Sequence, residues 1–519
     1  MYMTQGLHRA VQQKPDAIAT LYEGRAVSYR RFAERVARLA GALQTLGMAP
    51  GERVAMLALN SDRYLEYQFG VCWGGGVVNP CNTRWSAAEI IFSLQDSSST
   101  ILIVDDAFQA MAAQLIQEVP SLAHVIYAGQ GVAPPGMLDY ETLLRAAAPA
   151  EDRCRRGDDL AGLFYTGGTT GFPKGVMLSH GNLCSSALAG VAEGLAGNDR
   201  VYLHAAPMFH LADMAFTMMH AMCGNTHAFV PGFSAEGVLA SIARDRVTDV
   251  LLVPTMIQML VDHPAMLQGP DLGSLQRIYY GASPISEAVL DRAMAALPGV
   301  AFVQAYGMTE LSPIATLNHA WYHTVEGRKA GKLRSAGRAT LGTEVRIVDE
   351  DGIEVARGEV GEVVVRGANV MLGYWNNPAQ TAAAVRNGWM HTGDGAYMDA
   401  DGFIFVVDRL KDMIISGAEN IYSAEVENAI ASHGAIAACA VIGIPHEVWG
   451  ETVHAVIVAK PGVAPQADDI IAHCKSLIAG YKCPRSISFV DQLPLSGAGK
   501  ILKNKLREPF WSGRQRGVG

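Results

Sequence analysis

The chain has 519 residues and lacks the usual signs of a disulfide-linked, metal-binding or membrane-spanning protein. Its eight cysteines form no C-x-x-C pair and no metal-ligand spacing, which predicts reduced and mostly buried thiols. The amino terminus has no apolar run of signal-peptide length, and no stretch approaches the ~18 apolar residues of a membrane span. We therefore expect a cytoplasmic protein without an integral membrane segment. Peripheral membrane contact and a homodimer are both compatible with this composition.

Charge is sparse, since 18% of the residues are charged and 50% are hydrophobic, with a formal net charge of -9. This composition is typical of a well-packed enzyme and disfavours nucleic acid as a partner. Basic residues nevertheless concentrate near the end of the chain, which indicates either a solvated basic face or a binding site for a polyphosphate ligand. These residues are Lys482, Arg485, Lys500, Lys503, Lys505, Arg507, Arg514 and Arg516.

The order of apolar runs predicts an α/β fold. Up to about residue 335, strand-like runs such as RVAMLAL (53–59) alternate with helical patterns, which is typical of parallel sheets covered by helices. Segments rich in β-formers and Asp-Gly turns follow and predict a small barrel-like subdomain. A new alternation begins near Leu410. We predict a large amino-terminal domain over 1–409 and a small, mobile α+β carboxyl-terminal domain over 410–519.

The segment YTGGTTGFPKG, at residues 165–175, points to phosphate binding. Its glycines suit neither a helix nor a strand, whereas backbone N–H groups, threonine hydroxyls and Lys174 can together cradle a polyphosphate. It is not a Walker A loop, because Lys174 is followed by Gly175 and not by Ser or Thr. The Lys-x-Asp-Gly motif of ligases that adenylate their own lysine is absent.

Five further segments, taken with this loop and in their order along the chain, resemble the adenylate-forming superfamily, in particular its acyl-CoA synthetases. They are APMFHLADM (206–214), YYGASP (279–284), AYGMTE (305–310), WMHTGDGAYMDADGFIFVVDRLKDMIISGAENIYSAEVE (389–427) and LPLSGAGKILKNKL (493–506). The resemblance covers essentially the whole chain. One departure is Gly167, where the family more often has Ser, so the loop has one hydroxyl fewer.

The resemblance implies a binding site for ATP and Mg²⁺, with CoA as a co-substrate. Tyr306 would stack on adenine, while Asp394 and Arg409 would contact the ribose. Glu310 and Thr170 would hold the metal ion. The implied nucleotide-binding residues are Thr166, Gly167, Gly168, Thr169, Thr170, Gly171, Lys174, Gly281, Ala282, Ser283, Tyr306, Gly307, Met308, Thr309, Asp394, Arg409 and Lys500.

The resemblance also implies four catalytic residues. Lys500 would stabilise charge at the carboxylate and the α-phosphate, and Lys174 would steady the leaving pyrophosphate. His210 would lie beside the substrate carboxylate, and Thr309 would contact the α-phosphate.

A pocket for the acyl group and a path for CoA are implied in the same way. Lys411 would be the hinge on which the carboxyl-terminal domain turns, and Gly417 would lie where the pantetheine tunnel passes close to backbone. The acyl pocket would be lined by His210, Ala212, Ala282 and Ala305, whose alanines predict an open and apolar space.

The implied activity is that of an ATP-dependent acid–CoA ligase. A medium- or long-chain fatty acid or an aryl acid would form an acyl-adenylate and then an acyl-CoA, with release of pyrophosphate and AMP. The Thr-Gly-Gly-Thr-Thr variant of the phosphate loop resembles that of bacterial long-chain fatty acyl-CoA synthetases, and this resemblance favours fatty acids.

Three alternatives stay open on the sequence alone. A fatty acyl-AMP ligase would load a separate carrier protein instead of CoA. A luciferase-like oxygenase would combine the same adenylate with O₂. An amino-acid-adenylating domain is disfavoured by Phe209-His210, where such domains have Phe-Asp, but Asp213 lies three residues later and could pair a substrate ammonium.

Overall fold

The structure is a computed structural model that describes residues 1–167, 173–283, 285–410, 412–416, 419–497 and 499–512. The following bounds apply to this part of the chain. The α-helices are α1 (Gln5–Gln13), α2 (Tyr29–Thr45), α3 (Asp62–Trp73), α4 (Ala87–Asp96), α5 (Gln109–Glu118), α6 (Tyr140–Ala146), α7 (His180–Ala192), α8 (Leu211–Cys223), α9 (Ala235–Asp245), α10 (Pro254–Val261), α11 (Glu287–Ala296), α12 (Val325–Arg328), α13 (Pro378–Ala384), α14 (Ser423–Ala431), α15 (Ala467–Leu477) and α16 (Lys503–Trp511). Short 3₁₀ turns span Pro264–Gln268, Thr309–Leu311 and Ala320–His323.

The strands of the same residues form four sheets. They are β1 (Ile18–Tyr22), β2 (Arg25–Ser28), β3 (Arg53–Leu57), β4 (Val77–Pro80), β5 (Ile101–Val104), β6 (His124–Tyr127), β7 (Leu138–Asp139), β8 (Leu160–Thr166), β9 (Lys174–Ser179), β10 (Val201–His204), β11 (Thr226–Phe229), β12 (Asp249–Leu251), β13 (Arg277–Gly281), β14 (Ala301–Gly307), β15 (Ile314–Asn318), β16 (Arg338–Ala339), β17 (Thr343–Val348), β18 (Val360–Gly367), β19 (Gly373–Tyr374), β20 (Val385–Arg386), β21 (Trp389–Met398), β22 (Ile404–Arg409), β23 (Ile414–Ser416), β24 (Glu419–Ile421), β25 (Ile436–His446), β26 (Gly450–Ala459) and β27 (Ser486–Phe489).

Two large sheets carry most of the amino-terminal part. One has nine strands in the order β16-β15-β14-β13-β12-β10-β11-β1-β2, and the other has eight in the order β19-β9-β8-β4-β3-β5-β6-β7. Their central strands run parallel, and strands such as β4 and β5 are buried at every residue because helices cover both faces. The prediction of parallel sheets covered by helices is confirmed.

Helices begin where a short polar side chain can satisfy the free N–H groups of the first turn. Ser28 caps α2 by accepting a hydrogen bond from Arg31 N, and Ser86 forms a capping box with Glu89 at the start of α4. Ser179 caps α7, directly after the strand that Lys174 opens. This cap fixes the direction in which the chain leaves the phosphate-loop hairpin.

A third sheet is antiparallel and curled, as the predicted barrel-like subdomain requires. Its order is β17-β18-β21-β20, and β22 pairs with β21. The pairing brings Asp394 on β21 opposite Arg409 on β22. Two residues that lie far apart along a hairpin are thereby placed side by side.

The carboxyl-terminal residues form a fourth sheet, in the order β24-β23-β26-β25 with β27 beside β26. Helices α14 and α15 pack on it around a separate hydrophobic cluster that includes Val426, Val453 and Ile470. This α+β unit confirms the predicted fold class. The exact boundary between residues 409 and 410 stays a prediction.

Cysteine burial agrees with the composition. All eight cysteines are unpaired; six are buried, Cys439 is partly buried and Cys154 is exposed, which agrees with the prediction of mostly buried thiols. Among the described residues, no helix combines the length and the apolar character that a membrane crossing requires.

Candidate active site

The predicted site residues lie where strands of both large sheets end. Thr166 ends β8, Gly281 ends β13 and Gly307 ends β14, and β13 and β14 run parallel, so their carboxyl ends share one edge of the sheet. Ligands of α/β proteins bind at such edges because the loops there are free to carry polar groups. His210, at the start of α8, and Lys500, from the carboxyl-terminal unit, complete the group.

Two glycines are required at this edge because neighbouring backbone comes too close for a side chain. A Cβ on Gly281 would lie 2.0 Å from the carbonyl oxygen of Ala305, and one on Gly307 would lie 1.8 Å from that of Pro313. Ala282 follows with a φ of +65°, which turns the chain sharply after the strand. Ser283 lies in the same turn.

The segment after β14 presents its residues in a tight turn. Met308 N donates to Pro313 O at 2.9 Å, and Thr309 opens the 3₁₀ turn that also contains Glu310. The predicted α-phosphate and metal contacts are therefore adjacent on one short element.

The predicted adenine and ribose contacts meet in one hydrogen-bonded group. Tyr306 Oη donates to Asp394 Oδ2 at 2.8 Å, and Arg409 Nε lies 3.3 Å from Asp394 Oδ1. The side chain of Asp394 is 13% exposed and that of Arg409 is 46% exposed, so the pair faces a partly open space. A carboxylate has about four acceptor positions, which leaves Asp394 able to accept hydrogen bonds from a diol.

Lys500 enters this group from the carboxyl-terminal unit. Burial, followed by the charge of Arg409, lowers the pKa of Lys500 to about 8, against the opposing effect of Asp394 and Glu310. Within the described ranges, Lys500 takes part in no ion pair with a carboxylate. A partly buried cation of this kind favours an anionic ligand.

A docked turn holds Lys500 in place. Ser496 N donates to Lys500 O at 2.7 Å, and Gly499 has a φ of +76°. Arg84 Nη1 donates to Ser496 O at 3.1 Å, which ties the turn to the loop after β4. A second contact joins the same two parts of the chain, since Gln258 Nε2 on α10 donates to Ala437 O at 2.7 Å.

His210 is a neutral donor at the head of a helix. Its Nδ1 accepts a hydrogen bond from Ala212 N at 3.2 Å, so the proton of the neutral ring is on Nε2. Burial and then the charge of Lys500 lower the pKa of His210 to about 3. The amino end of α8 adds the partial positive charge of the helix dipole near the same position. An anion beside His210 would therefore meet the Nε2 donor and this partial charge.

Lys174 and Glu310 are joined by a tyrosine that the motifs do not include. Tyr374 Oη donates to Glu310 Oε1 at 2.8 Å, and Lys174 Nζ lies 5.4 Å from the centre of the Tyr374 ring. A polar cavity of about 250 Å³ opens beside Lys174 and Tyr374, with Asp96 and Asn376 in its wall. The sequence gives little sign of Tyr374 beyond the turn composition of GYWNNP at 373–378.

A metal ion would meet few protein ligands here. No group of three His, Cys, Asp or Glu side chains suited to a metal occurs among the described residues. Glu310 is 7% exposed and retains a carboxylate oxygen beyond the Tyr374 bond. One carboxylate fits a Mg²⁺ ion that brings phosphate and water ligands with it, because Mg²⁺ is commonly bound in this way.

The alanines predicted to line the acyl pocket pack against two different hydrophobic clusters. Ala212 and Ala305 pack against the main hydrophobic cluster, and Ala282 packs against a second cluster around β12 and β13. All three are only partly buried. Their shared use as a pocket wall stays a prediction.

Asp213 is not available to a substrate. It is fully buried, its Oδ1 accepts from Tyr202 Oη at 3.0 Å, and its Oδ2 lies 2.7 Å from Nδ1 of His204. Because both oxygens have partners in the core, the remaining reason to consider an amino-acid ammonium at this position is removed.

Three of the basic residues near the end of the chain are ion-paired. Lys482 pairs with Glu425 at 2.9 Å, and Lys503 pairs with Glu427 at 2.8 Å. Arg507 is paired with Asp412. These three are therefore less available to a polyphosphate ligand, and the choice between a solvated face and a polyphosphate site stays a prediction for the other basic residues.

Some predicted residues cannot be placed. Gly167 is described, and a Cβ there would meet no atom within 4 Å, so a serine would fit. The predicted residues outside the described part of the chain are Gly168, Thr169, Thr170, Gly171, Lys411 and Gly417.

The fold and the grouping of Lys500, His210, Asp394 and Glu310 are those expected of an adenylate-forming enzyme. Residues 7–375 match the AMP-binding enzyme family, and residues 425–500 match the AMP-binding enzyme C-terminal domain. The chain therefore belongs to the AMP-binding enzymes, in the acyl-CoA synthetase branch of the adenylate-forming superfamily.

Relatives and solved structures are similar over nearly the full length. A feruloyl-CoA synthase of Amycolatopsis sp is 40% identical over 508 residues, which cover 97% of this chain and 98% of the relative. The fatty acid–[acyl-carrier-protein] ligase ScoC of Streptomyces coeruleorubidus is 34% identical, with 98% and 96% covered. ATP-bound MatB from Rhodopseudomonas palustris has a TM-score of 0.88 at 30% identity, with 98% and 99% covered.

Proposed function

We propose that the protein is an ATP-dependent acid–CoA ligase. A carboxylate oxygen attacks the α-phosphorus of Mg·ATP, the bond to the bridging oxygen of the β-phosphate breaks, and acyl-adenylate and pyrophosphate form. The sulfur of CoA then attacks the acyl carbon, the thiol proton is lost, and AMP leaves. The observation that carries the proposal is Lys500, a partly buried cation without a carboxylate ion pair among the described residues, beside Asp394 and His210.

The nucleotide is proposed to lie along the strand ends described above. The ring of Tyr306 offers a face for adenine, while Asp394 and Arg409 offer an acceptor and a donor for the ribose hydroxyls. Gly281 and Ala282 would leave backbone at the edge of the base, with Ser283 beside them.

The phosphates are proposed to extend toward Lys174. Thr166 and Lys174 face each other across the hairpin of β8 and β9, so the loop between them starts and ends at one place. Glu310 supplies an oxygen for the Mg²⁺ of the substrate, and Thr309 supplies a hydroxyl next to it. When Mg²⁺ is bound with ATP, it supplies charge neutralisation at the phosphate oxygens.

Adenylation requires two anions to meet, and three groups of the chain reduce their repulsion. Lys500 offers a full charge, His210 offers the Nε2 proton, and the amino end of α8 offers its partial positive charge. None of these groups has to take a proton from the acid, because a carboxylate is already the nucleophile at neutral pH.

The thioester step is proposed to use a second arrangement of the carboxyl-terminal unit. Lys411 would be the hinge and Gly417 would border the path of the thiol, as the family resemblance implies. Arg84 and Gln258 hold the unit by single hydrogen bonds, which a rotation could break at modest cost.

We propose an acid with an apolar body as the substrate. The feruloyl-CoA synthase is named for an aryl acid and ScoC for a fatty acid, and the partly buried Ala212 and Ala305 are compatible with either. ScoC is also named for a carrier protein as acceptor, so acyl transfer to a carrier protein is the second candidate function.

A panel of acids tests the function directly. Hydroxycinnamic, benzoic and straight-chain acids are each incubated with Mg·ATP, and AMP is measured with CoA, with an acyl-carrier protein and with neither. We expect acid-dependent pyrophosphate release in every arm and rapid AMP release only with CoA. Oxygen uptake would indicate an oxygenase. AMP formation that does not depend on any acid would refute the proposal.

A further inference from the structure

Tyr374 connects two site residues that come from separate motifs. Its hydroxyl is bonded to Glu310 Oε1 at 2.8 Å, and its ring lies under Lys174 Nζ at 5.4 Å. Tyr374 is 8% exposed and Glu310 is 7% exposed, so the hydrogen bond is shielded from water. A shielded bond to a carboxylate constrains orientation more strongly than an exposed one.

The backbone around Tyr374 is attached to both neighbours as well. Met371 N donates to Glu310 O at 2.9 Å, and Trp375 N donates to Gly175 O at 2.7 Å. Strand β19 pairs with β9, which begins at Lys174, and Tyr374 is opposite Val176. The segment 371–375 therefore holds the metal-side turn and the phosphate strand in one fixed relation.

The hydroxyl of Tyr374 suits a contact with the Glu310 carboxylate, and its ring suits a contact with the Lys174 ammonium. A hydroxyl donor occupies one oxygen of Glu310 and leaves the other for a cation. Burial and then the charge of Glu310 raise the pKa of Tyr374, so the hydroxyl keeps its proton at every pH of interest. The face of the ring attracts the Lys174 ammonium and so favours its position over the ring.

We propose that Tyr374 is a positioning residue for adenylation: its hydroxyl orients Glu310 toward the Mg²⁺ of Mg·ATP, and its ring orients Lys174 toward the phosphates. This inference rests on the proposed function. It adds a residue from outside the motifs, which acts through Glu310 and Lys174 and does not itself contact the nucleotide.

The hydroxyl is tested with Tyr374→Phe, which keeps the ring and its volume. We expect the Mg²⁺ concentration for half-maximal pyrophosphate release to rise about tenfold, the scale of losing a hydrogen bond to a metal ligand. Thioester formation from supplied acyl-AMP and CoA is expected to keep the wild-type rate. Tyr397→Phe, which removes a hydroxyl from a ring stacked on Phe405 at 4.9 Å, is the matched control and should leave both half-reactions unchanged.

The route through Glu310 is tested by combining variants. If Tyr374 acts through Glu310, adding Tyr374→Phe to Glu310→Gln should change the Mg²⁺ dependence no further. Tyr374→Leu should also raise the KM for ATP above that of Tyr374→Phe, because Lys174 then loses the ring. Thermal unfolding of each variant shows whether it has folded.

Three results would overturn the inference. One is a wild-type Mg²⁺ curve for Tyr374→Phe, and another is a full additional shift in the Glu310→Gln background. The third is equal loss of both half-reactions in Tyr374→Phe, which indicates general damage to the fold. Wild-type protein is assayed first: if it forms no acyl-adenylate with any acid, the proposed function fails and this inference fails with it. If it does and Tyr374→Phe behaves as wild type, only this inference fails.

Discussion

The protonation of Lys500 sets the pH range in which we expect adenylation to proceed. Burial lowers the pKa of Lys500 from its ordinary value of 10.5 to about 8, and the charge of Arg409 contributes in the same direction. The group is charged below this pKa and neutral above it. Adenylation that depends on the Lys500 charge should therefore decline as the pH rises through about 8.

The magnitude follows from the titration. A group with a pKa near 8 is ~90% charged at pH 7 and ~10% charged at pH 9, so kcat/KM for ATP should fall about tenfold between these values. The relevant parameter is kcat/KM, because it reports the free enzyme. Bound phosphates raise the pKa of a neighbouring lysine. The decline in kcat, which reports the enzyme with ATP bound, should therefore occur at a higher pH than the decline in kcat/KM. Titration of His210 does not change the pH profile near neutral pH, because its pKa is about 3.

The assay is acid-dependent pyrophosphate release without CoA, measured at limiting ATP from about pH 6 to about pH 10. Thioester formation from supplied acyl-AMP is the internal control, and it should not decline, because CoA ionises to the reactive thiolate over this range. In Lys500→Arg the cation stays charged at every pH used, so the decline should disappear even where the absolute rate is low. Lys500→Ala should show a low and flat profile.

Two results would refute this reasoning. A kcat/KM that holds its value up to about pH 9.5 would mean that the charge of Lys500 is not needed. A decline of the same size and position in Lys500→Arg would assign the titration to another group.

Three further predictions concern single contacts of the site. Lys174→Ala should raise the KM for ATP and slow pyrophosphate release, because a cation beside the phosphates is lost; unchanged ATP kinetics would contradict this role. Ala212→Phe should reduce the rate with long acids more than with acetate, since it fills the acyl stem, and an equal loss for all acids would exclude Ala212 from the pocket wall. Arg84→Ala should slow adenylation about 2- to 10-fold and leave thioester formation unchanged, because it removes one hydrogen bond to Ser496 O, worth roughly 0.5–1.5 kcal/mol. An equal loss in both half-reactions would mean that the docked turn is not specific to adenylation.

Local hydrophobic patterns predict the helices and strands of this fold better than they predict which strands pair in a sheet. The run RVAMLAL is predicted as a strand from a few neighbouring residues, and β3 confirms this prediction. The pairing of β1 with β11, or of β19 with β9, joins segments about two hundred residues apart. Such pairings depend on the packing of the whole domain, for which periodicity carries no signal.

The same distinction applies to the candidate site. Asp394, Glu310 and Lys500 stand in motifs, so resemblance identifies them although nothing local shows that they converge. Tyr374 is missed because its function depends on a contact to Glu310 from a different segment. Asp213 is the opposite case: its position in the sequence suggests a substrate contact, and only its complete burial against Tyr202 and His204 removes it.

Lys500 is partly buried and has no paired carboxylate among the described residues, which links the charge of the substrates to the position of the carboxyl-terminal unit. A lowering of its pKa from 10.5 to about 8 corresponds to roughly 3 kcal/mol against the charged, docked lysine. A carboxylate and the phosphates of ATP offset this cost while both are bound. After adenylation, pyrophosphate departs and the acyl phosphate has one remaining negative charge, so the compensation falls. Arg84 and Gln258 contribute single hydrogen bonds, which are weaker than this electrostatic cost. We therefore expect loss of pyrophosphate, and not arrival of CoA, to release the docked unit.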